Sequence, residues 1–340
     1  MQIALYAHTH GIGHRDHAGN HTRNTPARLL DPVGVARAAE QAGFHSMWFP
    51  DHVCMPRATS SAHVTNRSGR RSYEPQHEML DAAVTMGAVA ASTSTLKLGT
   101  SVLIAPYRHP LSDARQLATI DVLSGGRLLV GVGAGWMQEE FDALGVPFSE
   151  RGRRAVECIE VYRRAWTDDA VAYDGEHYRF ADVSMDPKPL DPPPIVYGGV
   201  SPLGARRAAR HCDGLYPLFL DPGLEPDSHR DLHDVVRAEL DSVGRDPAVF
   251  TMMAATGIRL TDDPGPGPDG RARMRCAGSA EQVLADIEEF ARAGYSLLVC
   301  KMDCPSGELT ELLEQIERVG EEIVPAAAGI DAVGGWRSGL

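Results

Sequence analysis

The fold is decided by one stretch, Gly125-Gly126-Arg127-Leu128-Leu129-Val130-Gly131-Val132-Gly133-Ala134-Gly135-Trp136. Its central apolar run, bounded by glycines, predicts a buried β-strand. The glycines superficially match a dinucleotide-binding fingerprint, but their spacing is Gly-x-Gly-x-Gly and the expected acidic partner is missing. The pattern therefore argues against a Rossmann domain. Glycines at alternate strand positions indicate instead that a planar ring approaches the backbone.

Strand-like runs of this kind alternate with amphipathic helical segments along nearly the whole chain. The predicted strands span residues 3–7, 46–50, 96–104, 127–133, 195–199, 214–217, 250–258 and 296–302. Because a helical pattern follows each of them, we expect parallel strands joined by right-handed crossovers. A chain of 340 residues with these units favours an α/β fold, a single (β/α)8 (TIM) barrel, over an open doubly wound sheet. We assign residues 1–325 to the barrel and residues 326–340 to a peripheral C-terminal tail.

Long insertions interrupt the alternation. Residues 8–31 and 53–77 follow the first two strands, so in a barrel they lie at the C-terminal face, where active sites form. Loops of this length are functional lids or disordered segments. A third insertion, residues 168–194, contains a hairpin pattern around Asp174-Gly175.

The first insertion is crowded with histidines. They are His8, His10, His14, His17 and His21. Their spacing matches no zinc pattern and Asp16 is the only carboxylate among them, so we predict no metal site. His8 directly follows the first strand and is predicted to face the substrate. Trp136, after the fourth strand, either walls the same pocket or lies in the core.

Composition argues against several classes of protein. The formal net charge of −13 disfavours a general nucleic-acid-binding protein. No run of about 18 apolar residues indicates a membrane helix, and the N-terminus has no signal-peptide pattern. The six cysteines form no Cys-x-x-Cys pair, so we expect free thiols and a cytoplasmic protein. The only lysines are Lys97, Lys188 and Lys301, and this preference for arginine indicates a high-GC genome.

Polar residues at predicted strand ends are the candidates for chemistry. Asp51 and His52 close the second strand, where an imidazole can act as a general base or bind a substrate oxygen. Alternatively, Asp51 caps the following loop and His52 is a polar rim residue. After the fifth strand, Ser201 is a suitable helix N-cap, preceded by Gly198 and Gly199. The first amides of that helix would bind a phosphate, or the segment is an ordinary capped helix.

Four segments together resemble the luciferase-like monooxygenase family, which includes deazaflavin-dependent dehydrogenases and reductases. They are Trp48-Phe49-Pro50-Asp51-His52-Val53; Leu98-Gly99-Thr100 through Arg108-His109-Pro110; Leu123-Ser124-Gly125-Gly126-Arg127 through Gly135-Trp136-Met137-Gln138-Glu139-Glu140-Phe141; and Gly278-Ser279-Ala280-Glu281-Gln282-Val283. These segments span most of the chain in the same order as in the family. They therefore indicate membership of the family but do not indicate one particular activity. The resemblance implies an oxidoreductase that acts on a small molecule and forms a homodimer.

The resemblance also implies a cofactor site. A non-prolyl cis peptide bond near Ser101-Val102 would support an isoalloxazine-type ring, with Thr100 at the ring edge. Asp51 would lie beside the ring, and His52 near its reactive carbon or the substrate. The ring or its side chain would be lined by Gly133 and Ala134, and the phosphate would be held by Gly198, Gly199, Val200 and Ser201.

Two cofactors are compatible with this resemblance. Coenzyme F420, a deazaflavin, transfers hydride without oxygen, whereas FMN-dependent members use reduced flavin and oxygen, commonly with a separate cofactor reductase. The Asp51-His52 pair, the high-GC signature and the arginines within residues 67–71 favour F420, whose glutamyl tail is anionic. Relatives that oxidise sugar phosphates have an acidic residue where Ala134 stands, which disfavours that substrate class. A non-catalytic flavin-binding barrel is a third hypothesis.

Overall fold

The computed structural model describes residues 1–15, 21–61, 78–219, 225–264, 272–337 and 340. Parallel strands within these residues close into a barrel. They are β1 (Gln2–Tyr6), β2 (Ser46–Phe49), β3 (Lys97–Thr100), β4 (Leu128–Gly133), β5 (Ile195–Gly198), β6 (Gly214–Tyr216), β7 (Thr251–Leu260) and β8 (Leu297–Met302). Each strand pairs in parallel with the next, and β8 pairs with β1. The predicted TIM barrel is confirmed.

Helices connect the strands on the outside of the barrel. They are α1 (Pro32–Gln41), α2 (Ala82–Ala90), α3 (Pro110–Ser124), α4 (Gln138–Leu144), α5 (Arg151–Thr167), α6 (Pro202–His211), α7 (Arg230–Ser242), α8 (Ala280–Arg292), α9 (Leu309–Glu322) and α10 (Val324–Ala327). Side-chain caps fix where several of them begin. The Ser201 hydroxyl accepts a hydrogen bond from the amide of Gly204 at 3.1 Å, so Ser201 caps α6 as predicted.

Shorter elements lie in the connections. Strand Ile12–Arg15 pairs antiparallel with His21–Thr25, and Val171–Asp174 pairs antiparallel with Arg179–Val183. The second pair is the hairpin predicted around Asp174-Gly175. Two-residue strands at Leu103–Ile104, Leu218–Phe219 and Ala277–Gly278 extend the main sheet, and 3-10 helices span Ala27–Leu29, Ala105–Tyr107, Phe148–Glu150, Pro226–His229 and Pro247–Val249.

The two faces of the strands pack into separate cores, as the two-residue period of a strand requires. The outward face packs under the helices in the larger core. The inward face fills the barrel with Ala4, Tyr6, Trp48, Leu129, Val196, Tyr216, Met253, Ala255, Leu297 and Val299. Because successive side chains of a strand point to opposite faces, every second residue continues this inward face up to the barrel mouth, the end at which the strands have their C-termini.

The C-terminal tail reaches the base of this inner core. Leu340 is buried among the inward-facing residues, and its carbonyl accepts a hydrogen bond from the ammonium of Lys97. Trp336 is also buried, against Phe250 and His233. These contacts differ from the peripheral tail expected for residues 326–340, because Leu340 packs in the inner core and Trp336 in the outer core. The boundary at residue 325 stays a prediction.

The predicted third strand is divided by a bulge. Instead of running through residues 96–104, β3 ends at Thr100, the Ser101–Val102 peptide bond is cis, and Leu103–Ile104 resumes pairing with β4. The bulge presses the Thr100 carbonyl and the Val102 side chain against the neighbouring strands. The cis peptide bond implied by the family resemblance lies where it was expected.

The glycines of β4 and β5 make room for this bulge. A Cβ atom built on Gly131 would lie 2.0 Å from the Thr100 carbonyl oxygen, and one on Gly133 would lie 2.6 Å from Cγ2 of Val102. One on Gly198 would lie 2.8 Å from Cγ1 of Val102. The alternating glycines were predicted to admit a planar ring, but their close neighbours belong to the protein's own bulge.

We predict that Gly131→Ala destabilises the barrel by roughly 1–3 kcal/mol or more, because a backbone carbonyl cannot move aside by changing rotamer. Gly87→Ala is the matched control, since Gly87 lies inside α2 with open space where a Cβ would go. The control should be more stable than the parent by about 0.4–1 kcal/mol. Chemical denaturation measures both free energies of unfolding, and equal effects in the two variants would contradict the crowding described here.

Candidate active site

The C-terminal ends of β2 and β3 bring several predicted site residues together at the barrel mouth. Asp51 is buried, and both its carboxylate oxygens bind Arg108, at 2.7 and 2.8 Å. Oδ2 of Asp51 also accepts the amide hydrogen of Ile104 at 3.0 Å. Burial lowers the pKa of Arg108, but the Asp51 carboxylate outweighs burial and raises that pKa overall. The geometry therefore shows Asp51 fixing the loop after β3, not the loop that follows it in the sequence.

His52 is held by a glutamate that the sequence analysis did not single out. Its Nδ1 lies 2.7 Å from Oε2 of Glu140, and the two side chains are only 7% and 0% exposed. Oε2 also accepts the hydroxyl hydrogen of Tyr107 at 2.8 Å, while Oε1 accepts the amides of Val53 and Cys54 at 2.8 and 3.1 Å. One buried carboxylate thus joins the loops after β2 and β3 to the start of α4.

These contacts keep Glu140 ionised. Burial raises the pKa of its carboxyl group, but the hydrogen bonds from His52, Cys54 and Tyr107 outweigh burial and lower that pKa below its usual value. Burial and the Glu140 carboxylate together raise the pKa of Tyr107, which therefore stays a neutral donor. The pair of His52 and Glu140 is a buried imidazole oriented by a carboxylate, an arrangement that can exchange protons with a bound molecule.

The adjacent residue, Glu139, fastens the loop after β2 to α4. Its carboxylate accepts hydrogen bonds from Thr59, Ser60 and Ser61. The sequence signal for both glutamates was the pair Glu139-Glu140 directly after the fourth strand and at the start of a helix, where carboxylates are favoured.

Ser101 and Thr100 face opposite sides of the barrel wall. The Ser101 hydroxyl lies 3.0 Å from the Tyr216 hydroxyl, inside the barrel, where Tyr216 packs against Trp48. The Thr100 hydroxyl instead donates to the Gly131 carbonyl at 2.6 Å, and Thr100 lines a small cavity with α2 and α3. Ser101 therefore faces the mouth, whereas the side chain of Thr100 faces the helices, and its place at a ring edge stays a prediction.

The ends of β4 and β5 form the other side of the mouth. Gly133 is buried beneath Val102, while Ala134 and Trp136 are half-buried. Val102 itself is half-buried and packs against both the inner core and a cluster around Phe141. The structure thus brings the bulge and the start of the loop after β4 to one surface.

Two arginines lie near the predicted phosphate site at the start of α6. Gly198, Gly199 and Val200 are half-buried there, and Ser201 is exposed. The Arg207 guanidinium contacts Gly152 and opposes the effect of burial on the pKa of Tyr197, which is nevertheless raised. Arg151 donates to the carbonyls of Gly135 and Phe148. This side of the mouth therefore combines small residues, helix N-terminal amides and positive charge, which suits an anionic group.

His8 lies at the mouth end of β1 and is 5% exposed. Neither of its ring nitrogens has a hydrogen-bond partner among the described residues. Burial, together with the positive charge of Lys301, lowers the pKa of His8 to about 3, so the ring is neutral. Of the other histidines in the first insertion, the side chains of His14, His17 and His21 lie outside the described residues, as do the arginines within residues 67–71.

One group of possible metal ligands lies away from the mouth. Atoms of Glu157, Glu176 and His177 come within 4.8 Å of one another beside the 171–183 hairpin. Glu157, however, accepts the backbone amides of Glu176, His177 and Tyr178. These hydrogen bonds account for the position of Glu157 as a cap of the hairpin turn.

Comparisons with known proteins agree with this architecture. A family model described as luciferase-like monooxygenase matches residues 4–265, and the chain belongs to that family. An uncharacterized protein of Mycobacterium tuberculosis is 34% identical over 285 residues, which cover 82% of this chain and 96% of that protein. Within the described residues, no helix is both long and apolar enough to cross a membrane.

Two further sequence relatives match part of their own length, and a solved structure shares the fold. The FMNH2-dependent dimethylsulfone monooxygenase of Pseudomonas putida is 40% identical over 267 residues, 77% of this chain and 61% of that protein. A second M. tuberculosis protein, 35% identical over 195 residues, is covered over 66% of its length and 57% of this chain, so both matches span less than two thirds of the relative. An F420-dependent secondary alcohol dehydrogenase, solved with an F420–acetone adduct, superposes with a TM-score of 0.73 at 20% identity, over 96% of this chain and 98% of that one.

The buried, neutral state of His8 makes the stability of the protein depend on pH. Because its pKa falls from 6.5 to about 3 on folding, the unfolded chain binds a proton below about pH 6.5 that the folded chain does not. Stability is therefore lost as the pH falls, by about 2 kcal/mol from this residue between pH 7.5 and pH 5. We expect His8→Gln to remove that part of the loss.

His109→Gln is the control, since His109 is exposed at the start of α3 whereas His8 is buried. Urea unfolding at the two pH values gives the comparison. A pH dependence that is the same in His8→Gln as in the parent would show that the His8 ring is not buried in its neutral form.

Proposed function

We propose that this protein is a coenzyme F420-dependent oxidoreductase that transfers hydride to or from a small organic substrate at the barrel mouth. The observation that carries the proposal is the 2.7 Å contact between His52 Nδ1 and Glu140 Oε2 in a nearly water-free setting. Hydride transfer between an alcohol and a carbonyl compound also moves one proton at oxygen. A buried imidazole oriented by a carboxylate is suited to that proton transfer.

The hydrogen bonds around Glu140 support Nε2 as the ring nitrogen of His52 that would handle the proton. An ionised carboxylate can only accept, so neutral His52 carries its hydrogen on Nδ1 and donates it to Glu140. Nε2 then bears the lone pair. In the direction of oxidation, His52 Nε2 takes the hydroxyl proton of the substrate as the carbon–hydrogen bond gives up its hydride. In the direction of reduction, the same nitrogen returns the proton to the carbonyl oxygen.

The residues at the other side of the mouth fit an anionic deazaflavin coenzyme, which when bound accepts or donates the hydride. The half-buried Gly198, Gly199 and Val200 precede the first amides of α6. Arg151 donates to the Gly135 carbonyl nearby, and the Arg207 guanidinium lies against Gly152 and acts on Tyr197. The bulge at Ser101–Val102 gives an apolar surface next to them. These features support a phosphate at α6 and a ring against Val102.

An FMN-dependent monooxygenase is the second candidate function, and a specific observation favours it. The 40% identity to an FMNH2-dependent dimethylsulfone monooxygenase exceeds the identity to the F420-dependent dehydrogenase. Such an enzyme would use reduced flavin and oxygen, with a separate reductase to supply the flavin. The His52–Glu140 pair would then act on a proton in an oxygen-dependent reaction.

Equilibrium binding separates the two candidates. Purified protein is titrated with coenzyme F420 and with FMN, each oxidised and reduced, and binding is followed by fluorescence. We expect F420 to bind at least roughly tenfold more tightly than FMN, a difference of about 1.4 kcal/mol. A preference for reduced FMN would replace our proposal by the monooxygenase, and binding of neither would remove the assigned site.

A variant locates the binding site in the same experiment. Gly199→Val adds a side chain beside the start of α6, where a Cβ would lie 3.6 Å from the Tyr197 ring, an ordinary contact. The variant should therefore fold but lose at least tenfold in coenzyme affinity. Gly87→Ala in α2 serves as the control, and coenzyme affinity unaltered in Gly199→Val would place the phosphate elsewhere.

We further predict that Glu140→Gln disturbs the tautomer of His52, because the amide group of glutamine both donates and accepts. Nitrogen-15 spectra of labelled histidine should show His52 as the Nδ1–H form in the parent and as a mixture in the variant. Turnover should fall by roughly 10²-fold or more, the scale of general acid–base catalysis. Glu139→Gln, one residue away and bound to Thr59 and Ser61 instead, should leave the His52 signal unchanged.

His52→Gln identifies the signal and tests the proton step. Unchanged turnover in that variant would exclude His52 from the reaction. A His52 spectrum identical in Glu140→Gln and in the parent would show that Glu140 does not orient the ring.

A further inference from the structure

The side chain of His8 lies at the mouth end of β1. His8 is buried and neutral, yet neither Nδ1 nor Nε2 has a hydrogen-bond partner among the described residues. A buried polar group left unpaired costs roughly 1–3 kcal/mol, so such groups normally have a partner. His8 continues the inward face of Ala4 and Tyr6, which directs its ring toward the space at the barrel mouth.

Lys301 lies next to His8 on the same inward face. In β8 the residues facing the inside of the barrel are Leu297 and Val299, and Lys301 follows in the same alternation. Its ammonium is 5.8 Å from the centre of the Tyr6 ring, and the Tyr6 ring centre is 6.5 Å from that of His8. The positive charge of Lys301 also acts on His8, so the two side chains share one region of the mouth.

Space for a ligand is present beside Lys301. Gly257 of β7 pairs with Lys301 in the parallel register, and it continues the inward face of Met253 and Ala255. Among the residues that the structure describes, a Cβ built on Gly257 would meet no atom closer than the Lys301 carbonyl oxygen at 4.0 Å. The space beside the glycines of β4 and β5 is occupied by Thr100 and Val102, whereas none of the described residues occupies the space beside Gly257.

The location of these residues relates them to the proposed proton-transfer pair. Strand β1 lies between β8 and β2, with Tyr6 paired to Trp48, four residues before His52. His8 and Lys301 therefore border the same mouth as His52, on the side away from α6. A molecule held there by one end can present its other end to His52.

We propose that His8, Lys301 and Gly257 form a substrate subsite for the anionic oxygens of a small organic acid, a carboxylate or a sulfonate. The Lys301 ammonium supplies the charge, the neutral His8 ring donates one hydrogen bond, and Gly257 leaves the room. The Tyr6 ring packs against the apolar part of the same molecule. This inference rests on the proposed function, because it assigns the recognition of the substrate that His52 acts upon.

The inference is tested by calorimetric titration of the coenzyme-free protein with propanoate, ethanesulfonate and the neutral propanamide. We expect at least one of the two anions to bind at least tenfold more tightly than propanamide. Lys301→Met removes the charge at similar length and should weaken anion binding at least tenfold, whereas Lys301→Arg should retain it. The two anions distinguish a carboxylate subsite from a sulfonate subsite.

Gly257→Val keeps the charge and fills the space, so it should also weaken anion binding at least tenfold without a change at Lys301. Denaturation of each variant checks that it folds. Anion binding that is the same in Lys301→Met as in the parent, or propanamide binding as tight as anion binding, overturns the inference. Lys301→Met that weakens F420 or FMN binding but spares the anions would assign Lys301 to the coenzyme and likewise overturns it.

The proposed function fails separately from this inference. Anion binding is measured without coenzyme, and coenzyme binding is measured without anions. If the protein binds the coenzyme but not the anions, only the proposed subsite is wrong. If it binds the anions but not the coenzyme, only the coenzyme assignment is wrong.

Discussion

The buried carboxylate of Glu140 is the interaction on which the arrangement of the barrel mouth depends. It accepts hydrogen bonds from the loop after β2, from His52 and from Tyr107 after β3. A carboxylate buried without such donors would be protonated or would destabilise the fold. Here the donors outweigh burial, and the pKa of Glu140 is lowered. Because one group joins three segments, the position of His52 is fixed by the same contacts that hold these segments together.

Parts of this arrangement could be predicted from the sequence because they depend on local interactions. Strand and helix periods, the Ser201 cap and the turn at Asp174-Gly175 each depend on residues close together in the chain. The Asp51-His52 pair stood out because a polar pair at the end of an apolar strand is unusual. The partner of His52 did not, because Glu140 lies 88 residues away and only the closed barrel brings the two together.

Other features escaped the sequence analysis because they depend on packing. The glycines of β4 suggested space for a ring, but the bulge after β3 fills that space with Thr100 and Val102. Thr100 faces the helices because the inward face of β3 falls on Gly99 and Ser101. Leu340 belongs to the inner core, although its place at the end of the chain suggested a peripheral residue.

The charge of the mouth differs from the charge of the whole chain. The protein carries a formal net charge of −13, yet Arg108, Arg151, Arg207 and Lys301 all lie near the C-terminal ends of its strands. Local fields of this kind decide which ions enter a cleft, whatever the global sign. Arg108 is neutralised by the Asp51 carboxylate on both of its oxygens.

Lys301 lies on the inward face of β8, where its ammonium is 5.8 Å from the centre of the Tyr6 ring. It lies in an apolar strand whose other inward residues are Leu297 and Val299, where a leucine or methionine side chain would pack at no cost in desolvation. Burying an ammonium beside a histidine that it helps keep neutral lowers stability. A charged side chain that lowers the stability of the fold at an apolar position indicates a functional site. In the proposed active site the arginines near α6 then bind the coenzyme, His52 transfers the proton, and Lys301 binds the anionic group of the substrate.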